Sequence, residues 1–215
     1  MKTLTLPLIF NPPRKLSAAI VMTLVFMTLY SIPNRIHRVP PHLLHLTWVD
    51  NWVPFLPWTI WIYTSEYIFI FVMFFMARDW LNLNRYLYAY LFMQIVACMV
   101  FWIYPTTYPR VCFPISADVG AWTTYHFNAL RSLDTPANCA PSLHVAVCFL
   151  TSMIFRHEQR EKFWLFFAWS CAITISTLTT KQHYLIDVIC GALLALLSYQ
   201  IFFKKMRYRP SAQVT

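Results

Sequence analysis

The chain of 215 residues is 59% hydrophobic and only 12% charged, with a formal net charge of +9. Soluble domains carry about 25% charged residues, so the composition excludes an ordinary water-soluble globule. Its two glycines, Gly120 and Gly191, exclude the glycine-rich loops that cradle nucleotides, so ATP, GTP and NAD are not expected as cofactors.

Taken in chain order, apolar runs fall at about 16–32, 58–77, 86–104, 141–157, 163–180 and 183–203. Each approaches the roughly 17–25 residues that a spanning helix needs. The expectation is an all-α fold, a single membrane domain over 1–215 built as a bundle of six transmembrane helices. Arg14-Lys15 precedes the first run and no small-residue cleavage site follows it, which reads as a retained helix rather than a removable leader. Glu66 interrupts the second run and His144 the fourth. The 33–57 linker is broken by Pro33, Pro40, Pro41, Pro54 and Pro57, and its Trp48 and Trp52, with Trp58 just beyond, suit a membrane–water interface. The 105–140 linker is too long for a simple turn, and loops of that length usually carry function. No internal repeat or low-complexity segment occurs.

Basic residues sit between the runs and at the ends, which points to anionic lipid head groups rather than nucleic acid. One side of the six spans collects Lys2, Arg14, Lys15, Arg78, Arg85, Arg156, Arg160, Lys162, Lys204, Lys205, Arg207 and Arg209. The other collects Arg35, Arg38, Arg110, Arg131 and Lys181. The positive-inside rule assigns the richer side, with both termini, to the cytoplasm. Linkers 33–57, 105–140 and 178–183 then face a periplasm or lumen. His144 and His183, 39 positions apart, arrive at that same outer face.

Pro141-Ser142-Leu143-His144 reads as a helix start, with proline in the first turn. Its free amides suit an anion, with the Ser142 hydroxyl and the backbone of Leu143 and His144 as donors. The plain alternative is a capped helix with an interfacial histidine. His183 and Asp187 are four apart and share a face of any helix that contains both. An Asp facing lipid one turn into a span costs about 2.5–3.5 kcal/mol, and pairing with His183 offsets this while leaving one ring nitrogen for chemistry. A pair that merely locks helix packing is the competing reading. Arg110 and Lys181 are the nearest outer-side cations for a phosphate. Cys112 and Cys139 are the two cysteines of the outer linkers and make a candidate disulfide. His37, His42 and His45 form the remaining histidine cluster and read as interfacial side chains rather than metal ligands.

Pro-Ser-Leu-His followed about forty residues later by His-x-x-x-Asp resembles the phosphatidic acid phosphatase type 2 superfamily of membrane lipid phosphatases and phosphotransferases. That pattern runs Lys, six residues, Arg-Pro; then Pro-Ser-Gly-His; then Ser-Arg, five residues, His, three residues, Asp. The second part is met by Pro141, Ser142 and His144, with Leu143 in the glycine position; the third is met by Ser176, His183 and Asp187, with Thr177 in the arginine position. The first part is eroded. Arg110 fits, but Val111 follows it and Ile103 stands where lysine belongs. The resemblance covers about 104–191, and the wording Lys181-Gln182-His183-Tyr184 with Asp187-Val188 is similar to the inositol phosphorylceramide synthase branch.

The resemblance implies a metal-independent mechanism without cofactors. His183 is the nucleophile that becomes a phosphohistidine, Asp187 orients it, and His144 is the general acid and base. Arg110, Lys181, Ser142 and the Leu143 amide hold the phosphoryl oxygens, with Lys181 replacing the charge missing at Thr177. The implied substrate is a lipid phosphate in the membrane, with neither nucleotide nor nucleic acid as partner. Hydrolysis and transfer to an acceptor alcohol, as in sphingolipid synthases, both remain open. A transporter or scramblase would need ionisable groups at several depths, whereas here, apart from Glu66, they gather at one face. A catalytically dead binding partner is disfavoured by the intact His144, His183 and Asp187.

Overall fold

Side-chain caps at Asp79, Ser142 and Asp187 set three of the helix starts. The computed structural model describes residues 5–9, 15–36, 39–156 and 158–209. Lys2, Arg14, His37 and Arg38, used above for orientation and for the histidine cluster, lie outside them. Helix α1 (Lys15–Arg35) is followed by a short α2 (Trp48–Trp52) and by a span of two pieces, α3 (Ile60–Thr64) and α4 (Glu66–Met76). Then come α5 (Trp80–Ile103), α6 (Ala121–Leu133), α7 (Leu143–Met153), α8 (Arg160–Thr179) and α9 (Leu185–Tyr199), the last prolonged by a π-helical turn, Gln200–Lys205. Two minimal parallel ladders complete the described chain: β1 (Thr5–Pro7) with β4 (Arg207–Arg209), and β2 (His42–Leu43) with β3 (Thr106–Thr107).

The mostly helical membrane architecture agrees with expectation, with one difference in the count. Five helices among the described residues are long and apolar enough to cross a bilayer: Lys15–Arg35, Pro57–Met76, Trp80–Ile103, Arg160–Thr179 and Leu185–Lys205. The sixth, Leu143–Arg156, is shorter. At 1.5 Å per residue it reaches about 21 Å, against a hydrocarbon layer of about 30 Å. Its surroundings explain how this is tolerated. α7 packs against α4, α5, α8 and α9 and buries all of its residues except His144, Phe149 and Met153. A helix wrapped in protein need not match the lipid.

At the end of the bundle away from α7's N-terminus, cations close α4. Lys15 Nζ donates to the Ala77 carbonyl and Lys162 Nζ to the Met76 carbonyl at 3.0 Å, where the helix's last carbonyls lack intrahelical partners. Glu158 accepts from the Arg78 and Asp79 amides at 3.0 and 3.3 Å, and Asp79 caps α5 by accepting from Leu81 N at 2.8 Å. The pairing of β1 with β4 brings the two described ends of the chain together. The length of α9 and its π turn separates that ladder from the turn bearing His183.

Candidate active site

Two helix starts define the site, and both begin later than the sequence reading expects. Helix α7 opens at Leu143, with Ser142 as N-cap accepting from Val145 N at 3.4 Å, so Pro141 lies outside the first turn. The helical ladder begins with Ala146 N donating to Ser142 O at 3.0 Å, leaving the Leu143 and His144 amides ahead of it. Helix α9 opens at Leu185 rather than at His183. The reason is local: Asp187 Oδ2 reaches back to the Tyr184 amide at 2.9 Å, a capping contact that starts the helix one residue later. His183 therefore sits on the turn before α9, not on the helix with Asp187.

The two starts are bonded to each other. Ser142 N donates to Asp187 O at 3.0 Å. Gly191, one turn further along α9, permits this approach, because a Cβ there would collide with the Ser142 carbonyl oxygen and lie 3.3 Å from Val145 Cβ. One of the chain's two glycines is thus placed where the two motif helices touch.

His183 Nδ1 lies 3.1 Å from the Cys139 carbonyl and 3.4 Å from Asp187 Oδ2. A carbonyl only accepts, so Nδ1 carries the proton and Nε2 keeps its lone pair. Asp187 is fully buried, and its Oδ1 has no hydrogen-bond partner among the described residues. The His144 ring lies 5.8 Å from that of His183, centroid to centroid. The turn and the helix start that the sequence brings to one face are therefore immediate neighbours.

His144 has partners that the sequence reading did not supply. Its Nε2 is 3.0 Å from Glu66 Oε2, and its Nδ1 is 3.2 Å from the Tyr63 hydroxyl, whose ring stacks on it at 4.3 Å. Glu66 is buried at the start of α4, just past the break at Ser65. The signal for it was present: a lone carboxylate in an apolar span is costly and calls for a partner. Tyr63, three residues earlier, falls on the same helical side.

Neither expected cation stands free at the mouth. Arg110 spends all three nitrogens on protein: Nε on the Tyr108 hydroxyl at 3.2 Å, Nη1 on the carbonyls of Arg131 and Asp134, and Nη2 on Asp134 Oδ2 at 3.4 Å and Gln182 Oε1 at 3.3 Å. Through Gln182 it touches the residue beside His183. Lys181 occupies the left-handed region, φ 54°, and its Nζ donates to the carbonyls of Asp50 and Val53 at 2.6 Å each. Burial lowers its pKa, with Asp50 opposing. Its ammonium bolts the α8–α9 turn to the end of α2. Asp50 Oδ1 completes the bolt by accepting from Leu185 N at 2.8 Å. Thr177 itself is fully buried; its hydroxyl donates to Thr174 O at 2.7 Å and its carbonyl accepts from both Gln182 N and His183 N.

The expected disulfide is absent. Cys112 and Cys139 are free thiols, one exposed and one buried, with Cys139 Sγ directed at the Pro136 carbonyl. Burial pushes the Cys139 thiol well above the usual cysteine range. What holds the 105–140 linker near His183 is Thr106 instead: it bridges Asn138, Cys139 N donates to Thr106 O at 3.3 Å, and Ala140 N to Thr106 Oγ1 at 2.9 Å. His42 stacks on Tyr104 at 4.1 Å.

A family model for the PAP2 superfamily matches residues 27–201, which takes in every element of this site. The chain belongs to the PAP2 superfamily. Against the motif pattern set out above, Leu143, Thr177, Val111 and Ile103 stand where the resemblance expects Gly, Arg, Pro and Lys. Over 60 residues the chain is 38% identical to an uncharacterized protein of Methanocaldococcus jannaschii, a match covering 28% of this chain and 25% of the archaeal protein. The matched stretch thus spans about a quarter of that relative's length.

Proposed function

We propose that this PAP2 superfamily member is an integral membrane enzyme that removes the phosphoryl group of a lipid phosphate through a phosphohistidine on His183. The observation that carries the reading is the His183 tautomer: Nδ1 is tied to Cys139 O and Asp187, so the lone pair of Nε2 is free beside His144. In the first half, His183 Nε2 attacks phosphorus, the bond to the lipid oxygen breaks, and His144, held at Nε2 by Glu66, gives that oxygen the proton of Nδ1 in exchange for its contact with the Tyr63 hydroxyl. In the second, His144 takes a proton from water as its oxygen attacks, the N–P bond breaks, and phosphate leaves. Asp187 holds the ring and offsets its positive charge, and Glu66 does the same for His144.

The Leu143 and His144 amides are the donors for the phosphoryl oxygens, at the positive end of α7. The Ser142 hydroxyl keeps its proton for the same purpose while accepting from Val145 N. Arg110 and Lys181 contribute to this site by shaping the linkers; Arg110 can reach a phosphate only by leaving a protein partner, whereas Lys181 keeps one of its three N–H groups beyond the Asp50 and Val53 carbonyls. An acceptor alcohol in place of water would make the same intermediate a phosphotransferase.

Product analysis tests this reading. The purified enzyme, given a panel of lipid phosphates with and without acceptor alcohols, should release inorganic phosphate, and a chelator should leave the rate unchanged. Phosphate appearing only in a new lipid would make transfer the activity, and dependence on added metal would overturn the mechanism.

For orientation we propose cytoplasmic termini and a site on the periplasmic or lumenal face. The basic residues gather at the end where β1 and β4 join the chain's described ends, opposite His183. Reporters fused after Arg85 should read cytoplasmic and one near Asp134 external; the reverse result rejects this topology.

A further inference from the structure

Helix α6 carries two apolar arcs, and among the described residues only one of them packs on protein. At 100° per residue, Phe127 and Leu130 share one side, which packs against Ile60 and Tyr63 of α3. Ala129 and Leu133 each fall within about 20° of Trp122 on a second side, and polar Thr124, Asn128, Arg131 and Ser132 occupy the rest. Trp122 is 80% exposed and Leu133 72%. A helix needs one apolar arc to dock on its own fold, and this second arc has no structural use there.

What covers it is indicated by its neighbour. His126, between the two arcs, stacks on Trp61 at 4.5 Å, and Trp61 Nε1 donates to Thr123 Oγ1 at 3.2 Å. Trp61 is half-exposed and stands at the top of the second span's outward face, which continues through Ile68, Phe71 and Phe75, all exposed. The bare arc of α6 is therefore continuous with the surface that this span turns to lipid. α6 contains no acidic residue, which suits a surface bearing anionic head groups. Tryptophan at such an edge belongs at head-group level.

We propose that α6 is a bilayer-surface helix that lies in the outer leaflet's head-group layer and presents lipid substrates to the site. Resting on the activity proposed above, this goes further in naming the surface that recognises the lipid. The link to chemistry is short. Phe127 packs in one cluster with Tyr63, and Tyr63 stacks on His144. A helix seated in the head groups thereby stands beside the ring that meets the substrate oxygen.

The first test needs no activity. In vesicles, the tryptophan emission lost on Trp122→Tyr should be quenched by lipids brominated near the glycerol and shielded from aqueous iodide. Quenching by iodide with no effect of the brominated lipid would overturn the proposal. The second test compares substrates. Replacing Trp122 and Leu133 together by Gln should raise KM for a long-chain lipid phosphate in vesicles about tenfold, the equivalent of roughly 1.4 kcal/mol of lost interfacial contact. The same variant should leave kcat/KM for a water-soluble short-chain phosphate within about twofold. Equal losses on both substrates would refute a role in lipid presentation. Should the wild type turn over neither, the activity reading fails, while the quenching result still decides where α6 lies.

Discussion

His183→Ala is expected to abolish turnover of every substrate, a loss on the order of 10⁴-fold or more, because no other side chain offers an unprotonated nitrogen at this position. Its size follows from the chemistry lost. Without Nε2 there is no bond to phosphorus, so neither half of the reaction has a route. The loss should be the same for alkyl phosphates and for aryl phosphates with good leaving groups, since attack rather than leaving-group departure is missing. An acid-labile phosphoenzyme trapped by rapid quenching of the wild type should vanish in the variant. Folding is checked by membrane insertion and a monodisperse profile in detergent. Near-normal activity in a correctly inserted His183→Ala protein would mean that the nucleophile lies elsewhere.

The helices were legible because hydropathy is a property of each segment alone. Five spans lie close to the apolar runs that mark them. The short α7 was not legible as short, since only its neighbours reveal that it is shielded from lipid. The nearness of His144, His183 and Asp187 was readable from spacing and topology, because a helix or a tight turn fixes where residues a few positions apart must go. Side-chain direction was not readable. Lys181 is two residues from His183, but its left-handed backbone sends the ammonium to Asp50 and Val53. Arg110 is claimed by Asp134, 24 residues away. Glu66 was seen only as an exception to an apolar run, because nothing local to it names a partner 78 positions on. The Cys112–Cys139 expectation failed for a related reason: sharing a linker does not bring two side chains into register.

Glu66→Gln should slow steady turnover of a lipid phosphate by about 10²-fold or more, within the range that general acid–base catalysis contributes. Glutamine keeps the size of the side chain and an oxygen to accept from His144 Nε2, so the pair retains its shape. What disappears is the carboxylate's negative charge beside the imidazolium that forms when His144 takes a proton from water. The substrate dependence separates this role from a structural one. With an aryl phosphate the leaving group departs without a proton, so the first equivalent of aryl alcohol should appear at close to the wild-type rate. Attack by water still needs His144 as base, so turnover should then stall and phosphohistidine on His183 should accumulate. His144→Ala should give the same burst followed by the same stall, while neither variant should show a burst with an alkyl phosphate, whose departure needs the acid. A Glu66→Gln protein that loses burst and steady rate in equal measure would place Glu66 among the residues that hold the bundle together rather than those that act through His144.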